Sequence, residues 1–229
     1  LFFVEIVFAV FEIKEIDINP LLIEPDGSPV AVDGLIITAA PEKIIKQDAP
    51  VATEAFTACF YPKTVAFIGA SRTIAKWGHT VVSNVLSRDF RGRVFLVNPR
   101  GGTLMGKPVY KNVTDIEEQL DLAVVTIPAP LVAGLIPALE KKGVKAMLVI
   151  TSGFRETGGD GVLLEENLVK EARKAGIAVF GPNTMGICNP PIDFFCCGVH
   201  VYPRPGSTAL VCQSGNMGMQ LLAFAEQQD

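Results

Sequence analysis

The chain of 229 residues is long enough to bury one large hydrophobic core or two smaller ones. Hydrophobic residues make up 49% of it and charged residues 19%, which excludes a disordered chain. The formal net charge of -4 leaves no basic surplus, so we expect neither nucleic acid nor a membrane surface as a partner.

The first predicted segment covers residues 1–45. Its opening run, Leu1–Phe11, is apolar but carries Glu5 and lacks a basic flank, so it matches neither a membrane span nor a signal peptide. The missing Met and this abrupt apolar start lead us to expect that both ends of the chain are truncations of a longer protein.

Two strand-like runs and an interdomain linker follow the apolar start. The runs Glu12–Ile18 and Pro29–Ile37 flank the turn residues 25–27, whose sequence is Pro-Asp-Gly. Residues 46–59 are rich in Ala, Pro and Lys and are predicted to be a linker.

From residue 60 to residue 190 the pattern alternates between buried strands and helices. The predicted strands are Thr64–Ile68, Val94–Val97, Leu122–Ile127, Ala146–Ile150 and Ala178–Phe180. The predicted helices are Gly78–Leu86, Pro130–Lys141 and Gly161–Ala175. This alternation predicts an α/β domain with a doubly wound parallel sheet, covered by helices on both faces.

Residues 191–229 are predicted to begin a second α/β domain. The expected elements are a strand at Thr208–Val211 and a helix from about Asn216.

The cysteines and histidines give little support to a metal site. The five cysteines are odd in number and show no CxxC spacing, which favours packing as small hydrophobic side chains. Only two histidines occur, His79 and His200, so a His-rich metal site is excluded; we interpret both as structural and place His200 in a strand.

Ligands of such sheets bind at the carboxyl ends of the strands, so the turns after the strands are the candidate site. The first turn contains Gly69, Ala70 and Ser71, with Gly78 further on; glycine there either admits a phosphate or only permits a tight turn. No G-x-G-x-x-G fingerprint is present. The second strand is followed by Asn98, Pro99 and Arg100 instead of the acid that an NAD site uses.

The cation after the second strand suits a ligand with a phosphate near its adenosine ribose, as in NADP or coenzyme A. Alternatively, Arg100 is an ordinary solvated surface residue. The turn Pro128-Ala129-Pro130 predicts a flat apolar ledge, along which a pantetheine arm could lie.

Six motifs, in order from residue 67 onward, resemble the NDP-forming acyl-CoA synthetases, which are relatives of the succinyl-CoA synthetase α subunit. These motifs are Phe67-Ile68-Gly69-Ala70-Ser71, Val97-Asn98-Pro99, Ile127-Pro128-Ala129-Pro130, Ser152-Gly153-Phe154, Gly181-Pro182-Asn183-Thr184-Met185-Gly186 and Gln213-Ser214-Gly215. The resemblance implies a Rossmann-like CoA-binding domain followed by a flavodoxin-like second domain. The CoA-binding residues it implies are Gly69, Ala70, Ser71, Asn98, Pro99, Arg100, Pro128, Ala129, Pro130, Ser152, Gly153, Phe154 and Asn183.

The first segment resembles the end of the ATP-grasp part of the same enzymes. The similar residues are those from Glu15 to Leu21 and from Val30 to Gly34. The resemblance implies that Asn19 and Asp33 hold the Mg²⁺ that accompanies ATP or ADP, and oxygen ligands suit that ion. The alternative is an Asn-Pro turn and an aspartate at the end of a hairpin.

The resemblance also implies a phosphoryl-binding turn at Gln213, Ser214 and Gly215, unless Ser214 merely caps a helix. The phosphorylated histidine of the family is expected beyond residue 229, so we assign no catalytic residue and expect this chain to bind CoA without turnover. The implied partners are acyl-CoA, a nucleotide, and the rest of the ATP-grasp and ligase domains, within a cytoplasmic oligomer.

Two rival functions stay open from the sequence. The same fold could serve as a non-catalytic acyl-CoA-sensing module of an acyltransferase or regulatory protein. The second rival is an NADP-dependent reductase that binds its cofactor at the Gly69 turn, although Asn98 at the end of the second strand argues against it.

Overall fold

The computed structural model describes residues 13–18, 21–32, 34–38 and 53–228. The chain divides into two compact units, Leu1–Pro50 and Val51–Asp229. Each unit is described by itself below.

The first unit contains two antiparallel strand pairs. Its strands are β1 (Ile13–Ile18), β2 (Leu21–Ile23), β3 (Pro29–Ala31) and β4 (Gly34–Thr38). β2 pairs with β3 across the predicted turn, where the Ser28 N–H donates to Asp26 Oδ1 at 2.9 Å. β1 pairs with β4.

One prediction for this unit was wrong and one falls outside the described residues. The run Pro29–Ile37 is not one strand but parts of β3 and β4, which pair with different partners, and a pattern of alternation does not reveal which strand lies alongside. Asn19 and Asp33, the predicted metal ligands, lie outside the described residues. Their described neighbours Ile18 and Gly34 are paired with each other.

The second unit begins with helix α1 (Thr53–Phe60), where the end of a linker was predicted. Its Ala55, Ala58 and Cys59 are buried. A segment that buries side chains at helical spacing behaves as part of the core, so these residues are not a solvated linker.

A seven-stranded sheet forms the centre of the second unit. Along the chain, the strands and the helices between them are β5 (Thr64–Ile68), α2 (Trp77–Leu86), β6 (Arg93–Val97), β7 (Gly102–Leu104), β8 (Lys107–Tyr110), β9 (Leu122–Val125), α3 (Ala129–Val132), α4 (Ile136–Lys141), β10 (Ala146–Val149), α5 (Asp160–Lys174) and β11 (Ala178–Phe180). The strand order is β11-β10-β9-β5-β6-β8-β7, and all neighbours are parallel except the β7–β8 hairpin. The predicted parallel α/β sheet is confirmed; the β7–β8 hairpin was not predicted.

The sheet is covered on both faces, as a doubly wound fold requires. Alternate residues of β5 enter two separate cores: Ala66 and Ile68 on one side, Val65 and Phe67 on the other. The first core includes residues of α3, α4 and α5, and the second includes residues of α1 and α2. All five residues of β5 are buried, which explains why Val65–Ile68 form a continuous apolar run.

The predicted helix Pro130–Lys141 is broken. It consists of α3, a 3₁₀ turn at Ala133–Leu135, and α4. Pro137 sits in the first turn of α4, where the missing N–H interrupts the helical hydrogen bonds while the apolar periodicity continues.

The C-terminal part differs most from the prediction. It contains an antiparallel hairpin of β12 (Gly186–Asn189) and β13 (Phe194–Cys197), followed by helix α6 (Gly215–Gln227). The strand predicted at Thr208–Val211 is irregular backbone, and His200 also lies outside any strand. The Val211 side chain is 96% exposed, so no burial stabilises the expected strand conformation. Within the described residues, no helix has both the length and the apolar character to cross a lipid bilayer.

Candidate functional site

The candidate site lies at the carboxyl edge of the parallel strands in the second unit. Here β5 has β6 on one side and β9 on the other, so the chain leaves β5 in opposite directions to build the two halves of the sheet. A crevice at this switch of direction is the usual ligand position in open α/β sheets.

The first loop, after β5, depends on two glycines that touch. Gly69 has φ +99°, and a Cβ on Gly78 would lie 2.1 Å from the Gly69 carbonyl oxygen. The loop therefore passes under the first turn of α2 with no room for a side chain. It is also tied to β6, because the Gly69 and Ala70 N–H groups both donate to the Val97 carbonyl.

The N-terminus of α2 has no side-chain cap. Lys76 occupies the capping position in an extended conformation and makes no side-chain hydrogen bond there. The Ser71 N–H donates to the Gly78 carbonyl, and Ser71 Oγ accepts from Thr73 N–H at 3.1 Å. The first-turn N–H groups of an uncapped helix favour a bound anion.

The second loop, after β6, is joined to the first through Asn98. Its Nδ2 donates to the Ala70 carbonyl at 2.9 Å, and its Oδ1 accepts from Arg100 N–H at 3.0 Å. Asn98 is thus the residue that fixes this turn. Pro99 and Arg100 are exposed beside it.

Arg72 is a residue of this edge that the sequence analysis missed. Its guanidinium crosses from the first loop to the second, donating to the Gly101 carbonyl at 2.7 Å and to the Thr103 carbonyl at 3.0 Å. No sequence motif marks it, since its partners are backbone carbonyls of a hairpin that was itself not predicted.

The third loop, after β9, forms the wall beside Gly69. A Cβ on Gly69 would lie 2.6 Å from Thr126 Oγ1 and 3.1 Å from Ile127 Cγ2. Next along the chain, Pro128 and Pro130 are exposed while Ala129 between them is buried. This arrangement gives the apolar surface that the Pro-Ala-Pro sequence predicts.

The fourth loop, after β10, lies against the third. The Cβ position of Gly153 (φ +100°) is 3.5 Å from Ala129 Cβ, and Thr151 Oγ1 donates to the Ile127 carbonyl at 2.7 Å. Ser152 is exposed. Phe154 is only 1% exposed, so its ring is part of the core and only its backbone belongs to the loop.

Glu156 holds this fourth loop in shape and was also missed. Its Oε1 accepts from the N–H groups of Gly153 and Phe154, the latter at 3.2 Å. Desolvation raises the pKa of this carboxyl, but hydrogen bonds from backbone N–H groups outweigh it and leave the pKa below its usual value of 4.5.

The fifth loop, after β11, completes the edge. Asn183 adopts φ +54°, and its N–H donates to the Thr151 carbonyl at 2.9 Å. The contacts therefore run without a break from the second loop through the first, third and fourth to the fifth. The predicted CoA-binding residues lie on these five loops.

The predicted phosphoryl turn lies near the fifth loop. A Cβ on Gly215 would be 2.1 Å from Met185 Cγ. Ser214 Oγ accepts from Met217 N–H at 3.4 Å, so Ser214 does cap α6, and Gln213 is exposed. A phosphoryl-binding role for the turn stays a prediction.

The cysteines largely behave as predicted. Cys59, Cys196 and Cys197 are buried, Cys188 is half-buried, and Cys212 is exposed. Burial raises the pKa of the Cys59 thiol to about 12. Among the described residues, no three His, Cys, Asp or Glu side chains gather to hold a metal ion.

A family model described as "CoA binding domain" matches residues 63–190. The ADP-forming acetate–CoA ligase II of Archaeoglobus fulgidus is 31% identical over 204 residues, which cover 89% of this chain and 29% of the ligase. The ADP-forming acetate–CoA ligase of Methanocaldococcus jannaschii is 38% identical over 166 residues, or 72% of this chain and 23% of that one. The chain thus spans less than a third of the length of these curated relatives.

Two solved structures are also similar to this chain. A crystal structure from Pyrococcus horikoshii OT3 has a TM-score of 0.71 and 34% identity, covering 76% of this chain and 39% of that one. The dinucleotide-forming acetyl-coenzyme A synthetase 1 of Ca. Korarchaeum cryptofilum, in complex with phosphate and ADP, has a TM-score of 0.66 and 33% identity, covering 76% of this chain and 37% of that one. The chain belongs to the CoA-binding domain family, in the form found in ADP-forming acyl-CoA synthetases.

Proposed function

We propose that this chain binds coenzyme A along the carboxyl edge of its sheet, as the CoA-binding portion of an ADP-forming acyl-CoA synthetase. The observation that carries the proposal is the contact of Gly69 with Gly78 beneath the uncapped N-terminus of α2. This contact places the backbone of the Gly69 loop against the positive end of the α2 dipole, an arrangement that favours a phosphorylated ligand.

The phosphorylated adenosine end of CoA is assigned to the first and second loops. Asn98 fixes the second turn against the first loop, and Arg100 beside it is an exposed cation. Because the Arg72 guanidinium donates to the carbonyls of Gly101 and Thr103, it keeps that turn closed next to Arg100. Arginine suits phosphate because its planar group donates several hydrogen bonds at once.

The pantetheine arm is assigned to the surface of the third and fourth loops. Pro128 and Pro130 expose apolar rings, and Gly153 approaches Ala129 closely enough that the two loops form one surface. A long, mostly apolar arm gains from such contact. Asn183, at the next loop, is placed at the thiol end of this path.

In the proposed reaction, acyl-CoA, ADP and phosphate are converted to carboxylate, CoA and ATP. Phosphate attacks the thioester to give an acyl phosphate, and a histidine then carries the phosphoryl group to ADP. This chain presents the CoA thioester, and the turn Gln213–Gly215 would hold the phosphoryl group. Asn19 and Asp33 would hold the Mg²⁺ of the nucleotide, and the histidine and the other domains would come from outside this chain.

Parallel calorimetric titrations with CoA, desulfo-CoA and NADP test the proposal. We expect CoA and desulfo-CoA to bind with similar affinity, because the assigned contacts go to the adenosine phosphates and the pantetheine arm. We also expect no ADP-dependent cleavage of acyl-CoA by this chain. Tight binding of NADP that CoA does not displace would overturn the assignment and favour a reductase.

A further inference from the structure

The hairpin of β12 and β13 places two cysteine sulfurs side by side. Its register pairs Cys188 with Phe195 and Gly186 with Cys197, so both cysteines point to the same face, diagonally across the two strands. Their Sγ atoms are 3.3 Å apart. Because the residue directly opposite Cys197 is glycine, no side chain lies between Cys197 and its diagonal neighbour.

The two thiols are chemically unequal. The Cys188 thiol donates to the sulfur of Cys197. This hydrogen bond, together with burial, raises the pKa of Cys188, while accepting it lowers the pKa of Cys197. By contrast, burial raises the pKa of Cys196 on the adjacent position of β13. The thiolate is the reactive form of cysteine, so the lowered pKa of Cys197 favours this residue over Cys188 as the nucleophile of the pair.

We propose that Cys188 and Cys197 are a reversible dithiol–disulfide site oxidised by hydroperoxides. The Cys197 thiolate attacks one oxygen of hydrogen peroxide, giving a sulfenic acid and releasing hydroxide. The Cys188 sulfur then attacks the Cys197 sulfur; its proton and the leaving hydroxyl group form water, and the S–S bond forms. Two thiols are oxidised by two electrons, and one peroxide is reduced to two waters.

The position of the pair makes both steps feasible. Cys197 is only 4% exposed, but its sulfur lies 3.3 Å from that of the half-buried Cys188, so an oxidant hardly larger than water reaches the pair past Cys188, whereas Cys59 and Cys196 are fully buried. Only about 1 Å separates the observed sulfur distance from that of a bond, so the strands need little movement.

The site is physically joined to both ends of α2. The buried Asn84 of α2 donates from Nδ2 to the carbonyls of Cys197 and Val199, at 2.7 and 2.8 Å. Gly198 packs directly against the ring of Trp77: a Cβ added at Gly198 would lie 2.0 Å from the Trp77 Cζ3 atom. Trp77 is the single tryptophan of the chain, so its fluorescence reports on the segment that follows Cys197.

The test is titration of the full chain with hydrogen peroxide, followed by intact mass, free-thiol count and peptide mapping. We expect a loss of about 2 Da, the disappearance of two thiols, a linked peptide containing Cys188 and Cys197, and full reversal by dithiothreitol. We also expect Trp77 emission to shift with the same dependence on peroxide. Neither the mass loss nor the shift depends on CoA, so the outcome is independent of the proposed function.

Matched variants decide the assignment. Cys188→Ser and Cys197→Ser should each abolish the 2 Da loss, whereas Cys59→Ser and Cys212→Ser should retain it. Cys188→Ala, checked by thermal melting, covers the case in which the buried Cys197→Ser fails to fold. A disulfide that maps to Cys212, or irreversible oxygen addition without a linked peptide, would overturn the proposal. An unchanged Trp77 emission in the disulfide form would overturn its coupling to α2.

Discussion

The two edges of the parallel sheet are held together in different ways. At the amino edge, Asp121 lies just before β9, and its Oδ2 accepts from the N–H groups of Lys63 and Thr64 at 2.7 and 2.9 Å. Thr64 Oγ1 accepts from Asp121 N–H in return. At the carboxyl edge, Gly69 and Gly78 meet backbone to backbone, with no side chain between them.

The difference indicates that the contacts at the amino edge stabilise the fold, whereas those at the carboxyl edge shape a binding site. Side chains close the amino edge and satisfy the ends of the strands, which leaves little for a ligand to contact. At the carboxyl edge the missing side chains at positions 69 and 78 let the loop backbone meet the first turn of α2, beside the bridges that Asn98 and Arg72 make between the loops. Substitutions should therefore separate the two edges by affecting stability at one and CoA affinity at the other.

The largest expected effect is that of Gly78→Ala. Alanine favours a helix by about 1 kcal/mol over glycine. Its Cβ would nevertheless lie 2.1 Å from the Gly69 carbonyl, and overpacking of this kind costs about 3 kcal/mol. We expect a net loss of unfolding free energy, measured by urea denaturation, together with weaker CoA binding.

Gly134→Ala is the matched control, because a Cβ at Gly134 has no heavy atom within 4 Å. It should leave stability unchanged or slightly raise it. Equal effects of the two substitutions would contradict the contact between Gly69 and Gly78.

Asp121→Ala should destabilise the amino edge without changing the site. It removes the acceptor for the N–H groups of Lys63 and Thr64, which costs about 1–2 kcal/mol of unfolding free energy. The CoA affinity of the folded protein should stay as it was. Asp121→Asn keeps one carbonyl oxygen and should lose less; a drop in affinity with unchanged stability would argue against the separation of the edges.

Arg100→Ala should weaken CoA binding roughly tenfold, the effect of losing one charge-assisted hydrogen bond of about 1.4 kcal/mol. Arg100 is exposed, so stability should not change. Dephospho-CoA, which lacks the ribose phosphate, should bind the variant and the unchanged protein equally. Arg91→Ala, an exposed arginine before β6 instead of after it, is the control and should change neither affinity.

The smallest expected effect is at Glu156. Glu156→Ala frees the N–H groups of Gly153 and Phe154 and should weaken CoA binding by about threefold or less, since the carboxylate is exposed. Glu156→Gln keeps an acceptor oxygen, so it should reduce CoA affinity even less than Glu156→Ala does.

The pH dependence at Glu156 follows from its lowered pKa. A carboxyl whose pKa is lower in the folded state stabilises the loop above its usual pKa of 4.5, and this contribution is lost as pH falls through the folded-state pKa. An NMR titration should therefore show the Glu156 carboxyl changing below pH 4.5, with the Gly153 amide shifting in parallel. A midpoint above 4.5 would contradict the hydrogen bonds to the loop.

The sequence predicted five neighbouring strands of the parallel sheet and the loops that follow them, because buried parallel strands form apolar runs and the residues after them must meet at one edge. It could not predict Arg72 or Glu156, whose partners are backbone atoms rather than side chains with a recognisable spacing. It also gave a strand at Thr208–Val211, where apolar residues are exposed, and missed the β12–β13 hairpin.

By itself, then, the sequence determined the α/β fold class and the five loops that form the candidate site. The reason is that the spacing of apolar residues and the positions where strands end are local properties of the sequence. The tertiary structure alone decided which groups in those loops touch. Gly69 meets Gly78, Asn98 reaches Ala70, and Cys188 lies beside Cys197. These contacts depend on strand pairing and on the packing of α2, which local sequence patterns do not specify.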